Sequence, residues 1–143
     1  MSILGIDYGG KKIGLAISGQ DSRLALPLVI LKNTGRTEIL TELKSICLEN
    51  QVELIVVGVP ISLQAEKRET FLRQKDLQND QMREVLDFVS WLKNNIGVPV
   101  EIEDERLSTK LANSLGKDLV KKGPDDAVAA MLILQAYLDQ KNI

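Results

Sequence analysis

Two short apolar runs, residues 2 to 8 and 12 to 18, flank Gly9, Gly10 and Lys11, which is the pattern of a β-hairpin closed by a glycine-bearing turn. Leu26 to Leu31 supplies a third strand, with Pro27 expected at its start because proline has no N–H to give a ladder. From Thr37 to Asn50 the apolar positions shift to helical spacing. Leu54 to Val57 then forms a β-branched run closed by Gly58 and Pro60, as expected of a buried strand fed by a helix. The polar stretch from Ala65 to Asn95 is mostly helical in character, clearest from Met82 to Leu92, and Gly97 and Pro99 end it. Val98, Val100 and Ile102 alternate with Glu101 and Glu103, predicting a fifth strand that leads into Asp104, Glu105 and Arg106. A last helix begins near Pro124 and runs to about Gln140. This order implies an α/β fold: a mixed five-stranded sheet, its first three strands antiparallel, flanked by helices. With 143 residues and no internal repeat, the chain is expected to form one domain spanning 1–143.

Composition narrows the chemistry. The chain has no histidine, which removes imidazole bases, Ser/His and Cys/His nucleophile pairs and His-ligated zinc. Its one cysteine, Cys47, excludes an internal disulfide, and it falls in step with Ile39, Leu40, Leu43 and Ile46 as a packed core thiol. Catalysis must therefore run on carboxylates, lysine, hydroxyls or a hard, oxygen-bound cation. The apolar run from Ile3 to Ile6 is stopped by Asp7 and is too short for a signal peptide or a membrane span, so a cytoplasmic protein is expected. A net charge of -2 gives no global attraction to nucleic acid. Local clusters remain for phosphates: Lys11, Lys12 and Arg106, or Lys67, Arg68, Arg73 and Lys75.

Candidate acids stand at three places. Asp7 ends the first strand, in phase with Ile3 and Gly5; a turn aspartate is the ordinary alternative. Asp104 and Glu105 end the fifth strand, where a helix cap or a surface pair with Arg106 or Lys110 is the ordinary alternative. Asp125 and Asp126 open the last helix, where a carboxylate also caps and complements the dipole. At roughly 100° per residue, Asp125 lies on the side of the polar Gln135 and Asp139, whereas Asp126 is turned toward the sheet beside Ala129, Ala130 and Ile133. An inward carboxylate needs a partner. A divalent cation shared by Asp7, the strand-five acids and Asp126 would provide one, with oxygen ligands suited to Mg²⁺ or Mn²⁺. Such a site can clamp a phosphodiester and activate a water.

Four stretches resemble a known family in its expected order. Residues 5 to 18, Gly5-Ile6-Asp7-Tyr8-Gly9-Gly10-Lys11-Lys12-Ile13-Gly14-Leu15-Ala16-Ile17-Ser18, are similar to the opening signature of the YqgF-type nucleases. Val57-Gly58-Val59-Pro60 resembles their fourth-strand motif, and Asp104-Glu105-Arg106-Leu107-Ser108-Thr109 their fifth-strand motif. Asp126-Ala127-Val128-Ala129-Ala130 with Ile133-Leu134-Gln135 resembles their final helix. The resemblance implies an RNase H-like fold and a carboxylate site at Asp7, Asp104 or Glu105, and Asp126. It also implies a role on structured nucleic acid, with Lys11, Lys12, Arg106 and Thr109 as candidate contacts. Members are described as Holliday junction resolvases and as nucleases maturing the 5′ end of 16S ribosomal RNA; the RNA role is the expectation, for a monomer or homodimer. The sequence departs from the pattern at Gly19, in the charged stretch from Gln64 to Asp80, and in a shortened segment between Thr109 and Asp126.

Two other readings use the same features. Asp-Tyr-Gly-Gly-Lys-Lys at residues 7 to 12 also resembles the phosphate loop of actin-like ATPases and sugar kinases, but those close two such domains around a nucleotide and this chain has length for one. A non-catalytic module that binds nucleic acid would keep the fold with a weakened site. Acids at all three positions argue against it.

Overall fold

The computed structural model describes residues 2–19, 23–59, 75–104 and 125–141, with the backbone alone described for 75–81 and 125–126. Its strands are β1 (Ser2–Tyr8), β2 (Lys12–Ser18), β3 (Ala25–Lys32), β4 (Val52–Val59) and β5 (Val100–Asp104). The helices are α1 (Arg36–Asn50), α2 (Lys75–Asn95) and α3 (Asp125–Lys141). The strands form one five-stranded sheet in the order β3-β2-β1-β4-β5. β1 pairs antiparallel with β2 and β2 with β3, whereas β4 runs parallel to β1 and to β5. The mixed sheet and its antiparallel first three strands are those the hydrophobic pattern predicts.

Alternation along the strands divides the sheet into two faces. Leu4, Ile6, Ile13, Leu15, Ile55, Val57 and Val59 point into the larger core, closed by Ile39 and Leu43 of α1 and by Val85, Phe88, Val89 and Leu92 of α2. Cys47 is buried in the same core, as its helical spacing predicts. The opposite face is covered by α3, which packs Ala130, Leu134 and Leu138 on Ala16 and Ala25, and Ile133 and Tyr137 on Val56. Contact between α3 and the sheet is close at Gly5, where an added Cβ would stand 2.8 Å from the Cβ of Leu134 and 3.1 Å from the Ala130 carbonyl oxygen. A side chain at position 5 would lift the helix, so glycine sets the depth at which α3 lies.

Two local expectations shift. The third strand begins at Ala25, with Pro27 inside it and not at its first residue. Proline is accommodated because β3 is an edge strand and the register slips between Leu15 and Ala16, so that Leu15 faces Val29 while Ala16 faces Pro27. The bulge spares the missing N–H and roughens an edge that exposes Leu24, Leu26 and Leu28. The polar side of the last helix is also not simply solvated. Gln135 accepts a hydrogen bond from the backbone N–H of Ala25 at 2.9 Å and donates to the Arg23 carbonyl at 2.7 Å. It ties α3 to β3. Among the described residues, no helix is long and apolar enough to cross a membrane.

Candidate active site

Register places Asp7 in a line of residues that crosses the whole sheet on the α3 side. Asp7 faces Gly14 of β2, and Gly14 faces Ile30 of β3. On the other side Ile6 pairs with Val57, so Asp7 comes abreast of Gly58, which pairs with Glu103 of β5. The line therefore reads Glu103, Gly58, Asp7, Gly14, Ile30. Asp7 has a glycine on each neighbouring strand, so no side chain of its own row crowds its half-buried carboxylate. The next row toward the core contains Val56, Gly5 and Ala16, on which α3 rests. One end of the sheet thus presents an acid on a floor of glycines, on the face that α3 covers.

The strand-five acids divide by face. Val100 lies in the core beneath α1 and α2, while Glu101 and Glu103 reach α3: the Tyr137 hydroxyl donates to Glu101 at 3.3 Å, and the Gln140 amide donates to Glu103 at 2.7 Å. By the same alternation Asp104 takes the face of Val100, opposite Asp7. Glu105, Arg106 and Thr109 lie outside the described residues, as does the side chain of Asp126. Farther along the helix, Ala130 and Ile133 face the sheet. Among the described residues, no group of three or more His, Cys, Asp or Glu side chains is gathered to hold a metal ion.

Sequence reasoning passed over Glu103. Its alternation with Val100 and Ile102 marks a strand without saying which face is covered, and only 6% of it is exposed. Burial, reinforced by the neighbouring Asp104 charge, pushes its carboxyl above the usual value; the Gln140 hydrogen bond pulls the other way, Glu101 adds to the rise, and Lys141 opposes it. The spacing of Tyr137 and Gln140, nearly one helical turn apart and matched to Glu101 and Glu103, is the signal that α3 lies against this side of the strand and covers it at Glu103.

The β1–β2 turn carries the basic candidates, with Lys11 and Lys12 both exposed. It is held by Asn33, just past β3: the Asn33 N–H donates to the Lys11 carbonyl at 2.9 Å, and its side-chain amide donates to the Gly9 carbonyl at 2.9 Å and to the Tyr8 hydroxyl at 3.4 Å. Tyr8 in turn stacks on Phe88, with ring centroids 4.3 Å apart. The turn is anchored to both β3 and α2.

A strand order of β3-β2-β1-β4-β5, with an acid next to the end of the central strand, is that of an RNase H-like fold, and known structures share it. The Thermus thermophilus RuvC structure aligns with a TM-score of 0.59 at 19% identity, covering 99% of this chain and 96% of that one. T. thermophilus RuvC in complex with a Holliday junction substrate aligns at 0.58 with 16% identity, covering 99% and 96%. At that identity the likeness is one of fold.

Sequence carries the assignment further. A family model described as "RuvX: Holliday junction resolvase" matches residues 1–140. A protein of Rickettsia peacockii (strain Rustic) named "Putative pre-16S rRNA nuclease" is 35% identical over 147 aligned residues, covering 99% of this chain and 88% of that protein. One of the same name from Rickettsia bellii (strain OSU 85-389) is 34% identical over 145, covering 98% and 87%. The chain belongs to the RuvX family, the YqgF type recognised in its motifs, and is a nuclease that hydrolyses phosphodiester bonds.

Proposed function

We propose that this protein is a divalent-metal-dependent nuclease that processes the 5′ end of the 16S ribosomal RNA precursor in the cytoplasm. The observation that carries the reading is the placement of Asp7: an acid at the end of the central strand, on the α3 face, between Gly14 and Gly58. The donor set is all oxygen and the chain has no histidine, which fits Mg²⁺ or Mn²⁺. Asp7 and Asp126 are the proposed ligands from β1 and α3. From strand five, Glu105 is preferred to Asp104, because Asp104 falls on the opposite face from Asp7.

A bound divalent ion supplies charge compensation for the phosphodiester under attack. Asp7 anchors it at a point where glycine neighbours leave the backbone of the sheet approachable. Lys11, Lys12 and Arg106 neutralise the phosphates on either side of the scissile bond, and the Thr109 hydroxyl donates to a phosphate oxygen. These contacts position the strand without reading its bases.

Purified protein should be given labelled precursor rRNA and a four-way DNA junction side by side, with Mg²⁺, with Mn²⁺ and in excess EDTA. The expected result is cleavage of the precursor with either metal and none in EDTA. Preferential cleavage of the junction would favour the resolvase reading that the family description and the RuvC fold suggest. Undiminished cleavage in EDTA would end the metal mechanism.

A further inference from the structure

Lys12 and Lys32 face each other directly across β2 and β3 at the Asp7 end of the sheet, and both are exposed. Like charges set opposite one another weaken a strand pair, so sheet stability gives no reason for this arrangement. Their face is fixed by alternation. Ile13 and Leu15 point into the core beneath α1 and α2, and Ala16 lies under α3, so Lys12 shares the α3 side with Gly14, Ala16 and Asp7. Lys32, its direct partner, does the same.

The acid and the two lysines thus occupy successive strands, β1, β2 and β3, on one face and at one end. Strand spacing puts Lys32 on the order of 10 Å from Asp7, a span of roughly one or two nucleotides. The other direction is acidic and partly covered: on the α3 side β5 carries the exposed Glu101 and, beneath Gln140 of α3, the buried Glu103. The face is therefore polarised, basic toward β3 and acidic toward β5. The three Asn33 hydrogen bonds join the end of β3 to the turn and hold the lysines at a fixed offset from Asp7.

We propose that Lys32, paired with Lys12, binds the phosphodiester backbone of the substrate on the β2–β3 side of Asp7, so that the nucleic acid strand leaves the site over the β3 edge and not over β5. This rests on the nuclease reading above and adds the path of the strand. Lys32 is a binding residue in it, and its contact is indifferent to base sequence.

Binding is measured with Asp7→Asn protein, to suppress cleavage, on a precursor-rRNA fragment across a salt series. Lys32→Gln should lower the slope of log K against log salt by about 0.7 to 0.9, as loss of one phosphate contact does. Lys32→Arg should restore it, while Lys44→Gln on α1 should leave it unchanged. Lys32→Gln should also melt slightly above its parent, because the opposed like charge is gone, so lost affinity cannot be put down to a damaged fold. If Lys12→Gln lowers the slope and Lys32→Gln does not, the proposed path is wrong and the nuclease reading stands. If the parent binds with no salt dependence, both fall.

Discussion

The side-chain amide of Gln140 donates to the Glu103 carboxylate at 2.7 Å, joining the end of α3 to the end of β5 in the row that also holds Asp7. The bond gives a buried acid a partner, though only a neutral one. Burial still dominates, and the Glu103 carboxyl lies above its ordinary value of 4.5.

The sign of the pH dependence follows from that direction. A raised folded-state pKa means that the native state holds the proton more tightly than the unfolded chain does. The contribution of Glu103 to stability is fully present below the unfolded carboxyl range and is lost as pH rises through the folded value. Glu103→Gln removes the charge and keeps an acceptor for Gln140. Urea denaturation in EDTA should therefore find Glu103→Gln more stable than the parent at pH 8, with the gap closing toward pH 4. A variant less stable than the parent at pH 8 would show that the charged form of Glu103 is favoured by a partner outside the described residues.

The sheet was legible because each strand advertises its type locally. The β1–β2 hairpin, the β-branched β4 run and the five residues of β5 follow from period-2 patterning and glycine turns, with no knowledge of neighbours. Placement between strands was less so. Nothing near Asp7 in the chain says that Gly58 flanks it, because that adjacency comes from the parallel register of β1 with β4. Glu103 was passed over for a related reason: alternation identifies two faces but not which is covered, and the Glu103 carboxylate meets its cover in Gln140, 37 residues on. Gln135 was likewise legible only as polar, because a side chain that bonds backbone on a distant strand is not distinguishable in sequence from one that bonds water.

Gly5 tests how α3 is seated. An added Cβ would meet the Leu134 Cβ at 2.8 Å, closer than packed carbons come, and the Ala130 carbonyl at 3.1 Å. Both neighbours belong to a helix held along its length by β2 and β3, so relief requires a shift of backbone. Gly5→Ala should cost about 1 to 3 kcal/mol by chemical denaturation. It should also depress cleavage at temperatures where the protein remains folded, because the helix that carries Asp126 is displaced from the strand that carries Asp7. Full stability would mean that α3 lies higher over the sheet than described.

The last prediction separates the two acids that open α3. Ala130 and Ile133 face the sheet and Gln135 meets β3; a helical repeat of roughly 100° per residue then leads to the expectation, which this prediction tests, that position 126 falls on the inward stripe and position 125 on the side of Gln135. Asp126→Asn should abolish cleavage and leave the fold intact. Asp125→Asn should keep most activity and lose at most about 0.5 to 2 kcal/mol of stability as a weakened helix cap. If Asp7, Glu105 and Asp126 share one cation, removing one charge also relieves repulsion in the metal-free protein. Asp126→Asn should then melt slightly above the parent in EDTA, while added Mn²⁺ raises the parent's melting temperature more than the variant's, since a ligand that binds only the native state stabilises it in proportion to its affinity. Activity and metal-free stability would move in opposite directions. An inactive Asp125→Asn beside an active Asp126→Asn would instead put the wrong acid over the glycine floor, and the three-element site would have to be rebuilt around the other face of the helix.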